Sequence, residues 1–154
     1  MLRRSIATLA LLGLAACAKS APEVTEQRLQ PAAAAVSQTQ DPHGAFEKLG
    51  VDAVASLIDG KKAVAVDANG TDTRKEYGTL PGALLLSNAR TFELAELPAD
   101  KSTELVFYCG SEQCNAAPKA AKRAKELGYT AVKVMPEGIR GWVSSGKPTS
   151  KLDV

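Results

Sequence analysis

Cys109 closes a run of four apolar residues, Leu105-Val106-Phe107-Tyr108, and opens the short polar stretch Gly110-Ser111-Glu112-Gln113-Cys114. Beyond it, Ala116 to Leu127 is built of helix formers, with Pro118 in the first turn, where its missing N–H leaves nothing unpaired. Gly128 is the residue type that accepts a left-handed stop. The order predicts a buried strand, a tight thiol-bearing loop and a helix. A thiol at the carboxyl end of a strand, under a helix N-terminus, meets converging backbone N–H groups that favour thiolate over thiol. The thiolate is the nucleophile, and no histidine need stand beside it. The chain has one, His43, whose context places it in a solvated linker. Cys114, five residues after Cys109, leaves two readings open. It is either a thiol that resolves a bond formed at Cys109 or a small buried hydrophobe at the helix start. Without further Cys or His nearby the pair does not make a zinc site, and neither metal nor cofactor is expected.

Such a loop needs a sheet beneath it. Phe46, Leu49, Val51, Val54, Leu57 and Ile58 recur at helical spacing, with Asp52 as N-cap and Gly60 as stop. Ala63-Val64-Ala65-Val66-Asp67 reads as a parallel strand buried on both faces. Asn69 to Asp72 is a loop, Arg74 to Tyr77 one helical turn, and Gly78-Thr79-Leu80-Pro81-Gly82 a rigid turn into the apolar Ala83 to Leu86. Arg90 to Leu97 predicts a short helix. Small residues Ala117, Ala120, Ala121 and Ala124 give the cysteine helix a face that approaches a sheet closely. Ala131 to Met135 is a further strand, and Gly138 through Val143 a turn into a last helix, stopped by Gly146 and Pro148. Strands alternating with helices in this way predict an α/β, mostly parallel sheet.

The length of 154 residues leaves room for one domain of about 110 residues after an unstructured start. Setting aside Arg3 and Arg4 leaves 17 Lys and Arg against 17 Asp and Glu, so nothing in the charge argues for nucleic acid. Three cysteines are too few for a disulfide scaffold. Arg3-Arg4 followed by the apolar Ile6 to Leu14 reads as a secretion signal over 1–16, too short for a permanent membrane span. Leu14-Ala15-Ala16-Cys17 resembles the bacterial lipoprotein box, which implies cleavage before Cys17 and its acylation. Several acyl chains anchor stably, at about 0.8 kcal/mol per buried CH₂. Ala18-Lys19 lacks the aspartate linked to inner-membrane retention, so the periplasmic face of the outer membrane is expected. Residues 17–44 then form a tether rich in Ala, Pro, Gln, Ser and Thr, reaching roughly 25–30 Å. The domain is expected over 45–150, with 151–154 as a tail.

In this order the motifs resemble the rhodanese family of sulfurtransferases, over about residues 46 to 150. Four points carry the resemblance: the strand ending in Asp67; Gly78-Thr79-Leu80-Pro81-Gly82-Ala83, similar to the family's Gly-His-Ile-Pro-Gly-Ala; the cysteine strand and loop; and Gly138 through Trp142 with Gly146 and Pro148. The resemblance implies a sheet of about five strands, mostly parallel, with helices on both faces. It implies that Cys109 takes a sulfane sulfur as a persulfide and passes it to a thiol or other thiophilic acceptor. The amides of Gly110, Ser111, Glu112, Gln113 and Cys114 would cradle an anion. Asp67 would anchor the loop backbone, and Trp142 and Tyr108 would pack. The family's Asp-x-Arg is here Asp67-Ala68-Asn69, which leaves the ion pair to Arg74, and Thr79 stands where a His is common. The loop has no Lys or Arg, and Arg140 reads as exposed. A charge on Glu112 6–7 Å from a bound anion costs roughly 2–3 kcal/mol at an effective dielectric of about 20, which disfavours thiosulfate. Cys109-Gly110-Ser111 matches the loop opening of mercaptopyruvate sulfurtransferases. The competing functions are a thiol–disulfide redox protein using Cys109 and Cys114, and a non-catalytic binding module. A phosphatase is excluded, because it needs a longer loop and an arginine after it, and Asn115 stands there. The oligomeric state is left open.

Overall fold

The computed structural model describes residues 43–152. The signal-like segment, Cys17 and nearly all of the tether lie outside the described residues. Five strands, β1 (Glu47–Lys48), β2 (Val64–Asp67), β3 (Leu84–Leu85), β4 (Leu105–Tyr108) and β5 (Val132–Met135), form one sheet in the order β1-β5-β4-β2-β3. Every pairing is parallel. Four helices connect them: α1 (Val51–Asp59), α2 (Thr71–Tyr77), α3 (Ala116–Glu126) and α4 (Gly138–Ser144). No helix among the described residues is long and apolar enough to cross a membrane.

The period-2 alternation of the central strands divides the core in two. Val66, Phe107, Val132 and Val134 face α3, whose Ala117, Ala120, Ala121 and Ala124 are fully buried against them. Ala65, Val106, Tyr108 and Met135 face the other side, where Val51 and Val54 of α1 and Ile139 and Trp142 of α4 cover them. The alanine face of α3 explains the close approach of that helix, because no side chain longer than a methyl stands between it and the strands.

Four expectations need correction. Phe46 to Leu49 is not helical: β1 pairs with β5, and Leu49 N donates to Val134 O at 2.9 Å. The sheet edge takes that segment, so α1 starts late and its N-cap is the extended Gly50 (φ −72°, ψ 162°), with Asp52 inside the first turn. Between Arg90 and Leu97 only Leu94–Glu96 makes a single 3-10 turn, closed by a Glu93–Glu96 capping box. Upstream the Asn88 side chain accepts from Arg90 N and Thr91 N, a local turn that competes with helix. His43 is not solvated: it is 1% exposed, and its carbonyl accepts from Phe46 N. The turn at Arg74 to Tyr77 also grows, since α2 begins at Thr71 and Arg74 N donates back to Gly70 O.

Candidate active site

Register places the functional loops at one level. Asp67 pairs with Tyr108, and Tyr108 with Met135, so the segments after β2, β4 and β5 leave the sheet side by side at its carboxyl end. In parallel sheets ligands bind outside that end, where successive connections depart in opposite directions. Here the switch lies between β2 and β4, because β3 continues to one side of β2 and β4 to the other.

Cys109 directly follows β4 and packs with Phe107, Ala68 and Ala117 on the α3 face, 1% exposed. Its sulfur is bonded to that of Cys114, across a Cα–Cα distance of 6.3 Å. Cys114 is partly exposed, and Glu112 and Gln113 are exposed. Closing this short loop restrains the unfolded chain by about 2 kcal/mol in the chain-entropy account. Cys114 N donates to Ser111 O at 2.9 Å, so it is turned into the loop, and Cys109 Sγ lies 3.3 Å from the Cys114 carbonyl oxygen. The first turn of α4 backs the loop: Ile139 N donates to Cys109 O (2.8 Å) and Arg140 N to Gly110 O (3.2 Å). Arg140 itself is exposed, its guanidinium 5.3 Å from the centre of the Tyr77 ring. Trp142 is core, with Nε1 donating to Pro148 O at 2.7 Å.

Beneath the loop sits a polar node. Asp67, 0% exposed, accepts from Asn69 N (2.6 Å), Arg74 Nε (3.2 Å) and Tyr108 Oη (2.6 Å). Arg74 Nη2 also donates to the carbonyls of Asp67 (3.1 Å) and Leu86 (2.9 Å), tying β2 to the end of β3. The Tyr108 hydroxyl accepts from Leu80 N at 3.0 Å. Tyr108 is thus more than packing; the signal for it was a hydroxyl and a carboxylate ending neighbouring strands in register. Burial, then the Asp67 charge and the hydrogen bond donated to it, hold the Tyr108 phenol well above its ordinary value. The folded protein keeps that proton where the unfolded chain gives it up. The stability from this group is therefore complete below about pH 10 and declines above it. Tyr108→Phe leaves Leu80 N without its acceptor and Asp67 with one donor fewer, an expected loss of about 2 kcal/mol in urea unfolding at neutral pH. The pH-dependent decline above 10 should shrink in the variant.

The Rhodanese-like domain profile matches residues 50–145. The chain belongs to the rhodanese family. A search among curated proteins found no match. Among solved structures, the rhodanese-like domain superposes on the polysulfide-sulfur transferase homodimer of Wolinella succinogenes with a TM-score of 0.61 at 18% identity, covering 73% of this chain and 83% of that one. The human single-domain sulfurtransferase gives 0.51 at 24%, covering 63% and 95%. Thiosulfate sulfurtransferase from Pseudomonas aeruginosa gives 0.57 at 22%, covering 70% of this chain and 21% of that protein, so the match spans about a fifth of it. Identities this low show the shared fold.

Proposed function

We propose that the domain carries a sulfane sulfur on Cys109 and that Cys114 discharges it. What supports the reading is the bond joining the two sulfurs across the loop that follows β4, in a chain whose fold relatives include sulfurtransferases. In the reduced protein the Cys109 thiolate attacks the outer sulfur of a persulfide or polysulfide. The donor's S–S bond breaks, the donor leaves as a thiolate, and Cys109 holds the persulfide. An acceptor thiolate can then take the outer sulfur and release Cys109 as thiolate. Alternatively, Cys114 thiolate attacks Cys109 Sγ, forming the disulfide and expelling hydrosulfide; one S–S bond forms as one breaks. Returning the pair to thiols takes a dithiol, which is itself oxidised to a disulfide.

Burial decides where that dithiol enters. Cys109 is 1% exposed and Cys114 partly so, so an external thiolate reaches Cys114 and Cys109 is the leaving group. The donor is a persulfide rather than thiosulfate, because the loop presents Glu112 and no Lys or Arg. We place the chemistry on the periplasmic side, where disulfides persist and where the signal-like 1–16 segment would direct the chain.

The test is intact mass after the reduced protein meets a sulfane donor. Cys114→Ser, which cannot discharge the sulfur, should gain one sulfur atom, and Cys109→Ser none. Equal uptake by Cys109→Ser removes Cys109 from the chemistry. A second reading, thiol–disulfide exchange without sulfur, also uses the observed bond. Reversible disulfide turnover in wild type, with no sulfur uptake by Cys114→Ser and no sulfide released, would favour it.

A further inference from the structure

A groove of about 330 Å³ opens beside the sulfur loop, between the segment after β2, the segment after β3 and the start of α3. Asn69, Ser87, Arg90, Asn115, Ala116 and Lys119 line it. It adjoins the loop at both ends of the cysteine pair. Asn115 and Ala116 directly follow Cys114, and Asn69 Oδ1 lies 3.8 Å from where a Cβ on Gly110 would stand. Two cations edge it, and neither Arg90 nor Lys119 pairs with a carboxylate among the described residues; Lys119 Nζ donates only to Asn115 Oδ1, at 3.0 Å. That bond occupies the Asn115 side chain, which makes no cap to α3, an eleven-residue helix. Asn69 is 8% exposed, and its Nδ2 has no hydrogen-bond partner among the described residues. The nearby carboxylate, Glu96, is already held by Ser87 N (2.6 Å), Ser87 Oγ (2.8 Å) and Glu93 N (2.7 Å). A second cleft continues from Arg90 and Lys119 past Lys122, Arg123 and Glu126. There Glu126 pairs with Lys122 (3.9 Å) and Arg123 Nε donates to Phe92 O (2.9 Å), so the cations left without such partners among the described residues of this cleft are Arg90 and Lys119, at the groove itself.

Cations, an uncapped helix start and a buried donor without an acceptor converge on one requirement, an oxyanion. The position of the groove sets the ligand's shape. Glu112 disfavours negative charge at the loop itself, whereas the groove favours it a few bonds away from the reacting sulfur. We propose that the groove is the subsite for the carboxylate of a small carboxylated persulfide or thiol, whose sulfur reaches the Cys109 loop while Arg90, Lys119 and Asn69 hold its acid end. The inference rests on the sulfur-carrier reading for the identity of the ligand, while the anion site stands on its own geometry.

The test compares mercaptopropionate persulfide with mercaptopropanol persulfide, alike except for the carboxylate, as donors to the reduced full chain. Wild type should show a KM about tenfold lower for the acid with kcat unchanged, the gain of one charge-assisted contact. Arg90→Gln with Lys119→Gln should erase that difference, and Lys62→Gln, on the remote α1–β2 turn, should keep it. Equal KM values in wild type, or a preference that survives the double substitution, overturn the proposal. If neither donor loads Cys109, the sulfur-carrier reading has failed, and the subsite is tested by itself with S-methyl mercaptopropionate, which cannot transfer sulfur. A saturable shift of the Asn69 side-chain amide resonance, lost in the double variant, upholds the site. No shift overturns it.

Discussion

Arg74→Met is expected to destabilise the domain by about 3–5 kcal/mol in urea unfolding, the largest loss from any side chain outside the apolar core. The guanidinium is the cationic partner of Asp67, whose side chain is 0% exposed, and its own side chain is 11% exposed. Removing it strands a carboxylate in a buried site with only Asn69 N and Tyr108 Oη as donors. It also frees the carbonyls of Asp67 and Leu86 that Nη2 bridges, so the end of β3 loses its tie to β2. Adding Asp67→Asn to Arg74→Met should recover part of the loss, because the stranded charge is gone. A loss under about 1 kcal/mol, as for a solvent-exposed pair, would mean that water replaces the guanidinium freely.

Gly138→Ala should cost about 3 kcal/mol or more and open the sulfur loop. Gly138 sits at φ +63°, where a Cβ alone costs about 1–2 kcal/mol. A Cβ there would also lie 2.8 Å from Gly110 C and Ser111 N, and closer still to Cys109 O. These are backbone atoms of the reactive loop, so relief requires moving the loop. Gly82→Ala is the control: φ is +68°, but nothing lies within 4 Å, so it should show the backbone cost alone. Excess destabilisation at Gly138, with faster alkylation of reduced Cys109, reports the displaced loop. Equal losses at the two glycines would mean that the loop does not rest on this position.

The strand, loop and helix around Cys109 were legible because each rests on local signals: four apolar residues, a polar break, then an alanine-rich run closed by Gly128. The parallel sheet followed from the repetition of that pattern. What escaped depends on partners far along the chain. Glu47 and Lys48 are a strand only because β5 offers its edge, and nothing local to them says so. The hydroxyl of Tyr108 becomes structural once register sets it beside Asp67. Arg90 and Lys119 look like scattered surface charge in sequence and meet only when the segment after β3 folds against α3. The oxidised pair was also undecided in sequence, since spacing permits a bond between Cys109 and Cys114 without requiring one.

The fate of the loaded sulfur tests the central claim, that the two cysteines act in turn on one atom. Reduced wild type and Cys114→Ser are each charged with a persulfide donor, freed of excess, and followed by intact mass and by assay of released sulfide. Wild type should lose its extra sulfur as about one equivalent of sulfide and end as the Cys109–Cys114 disulfide, while Cys114→Ser should hold the persulfide until an acceptor thiol is added. Equal rates of sulfide release from both proteins would contradict it.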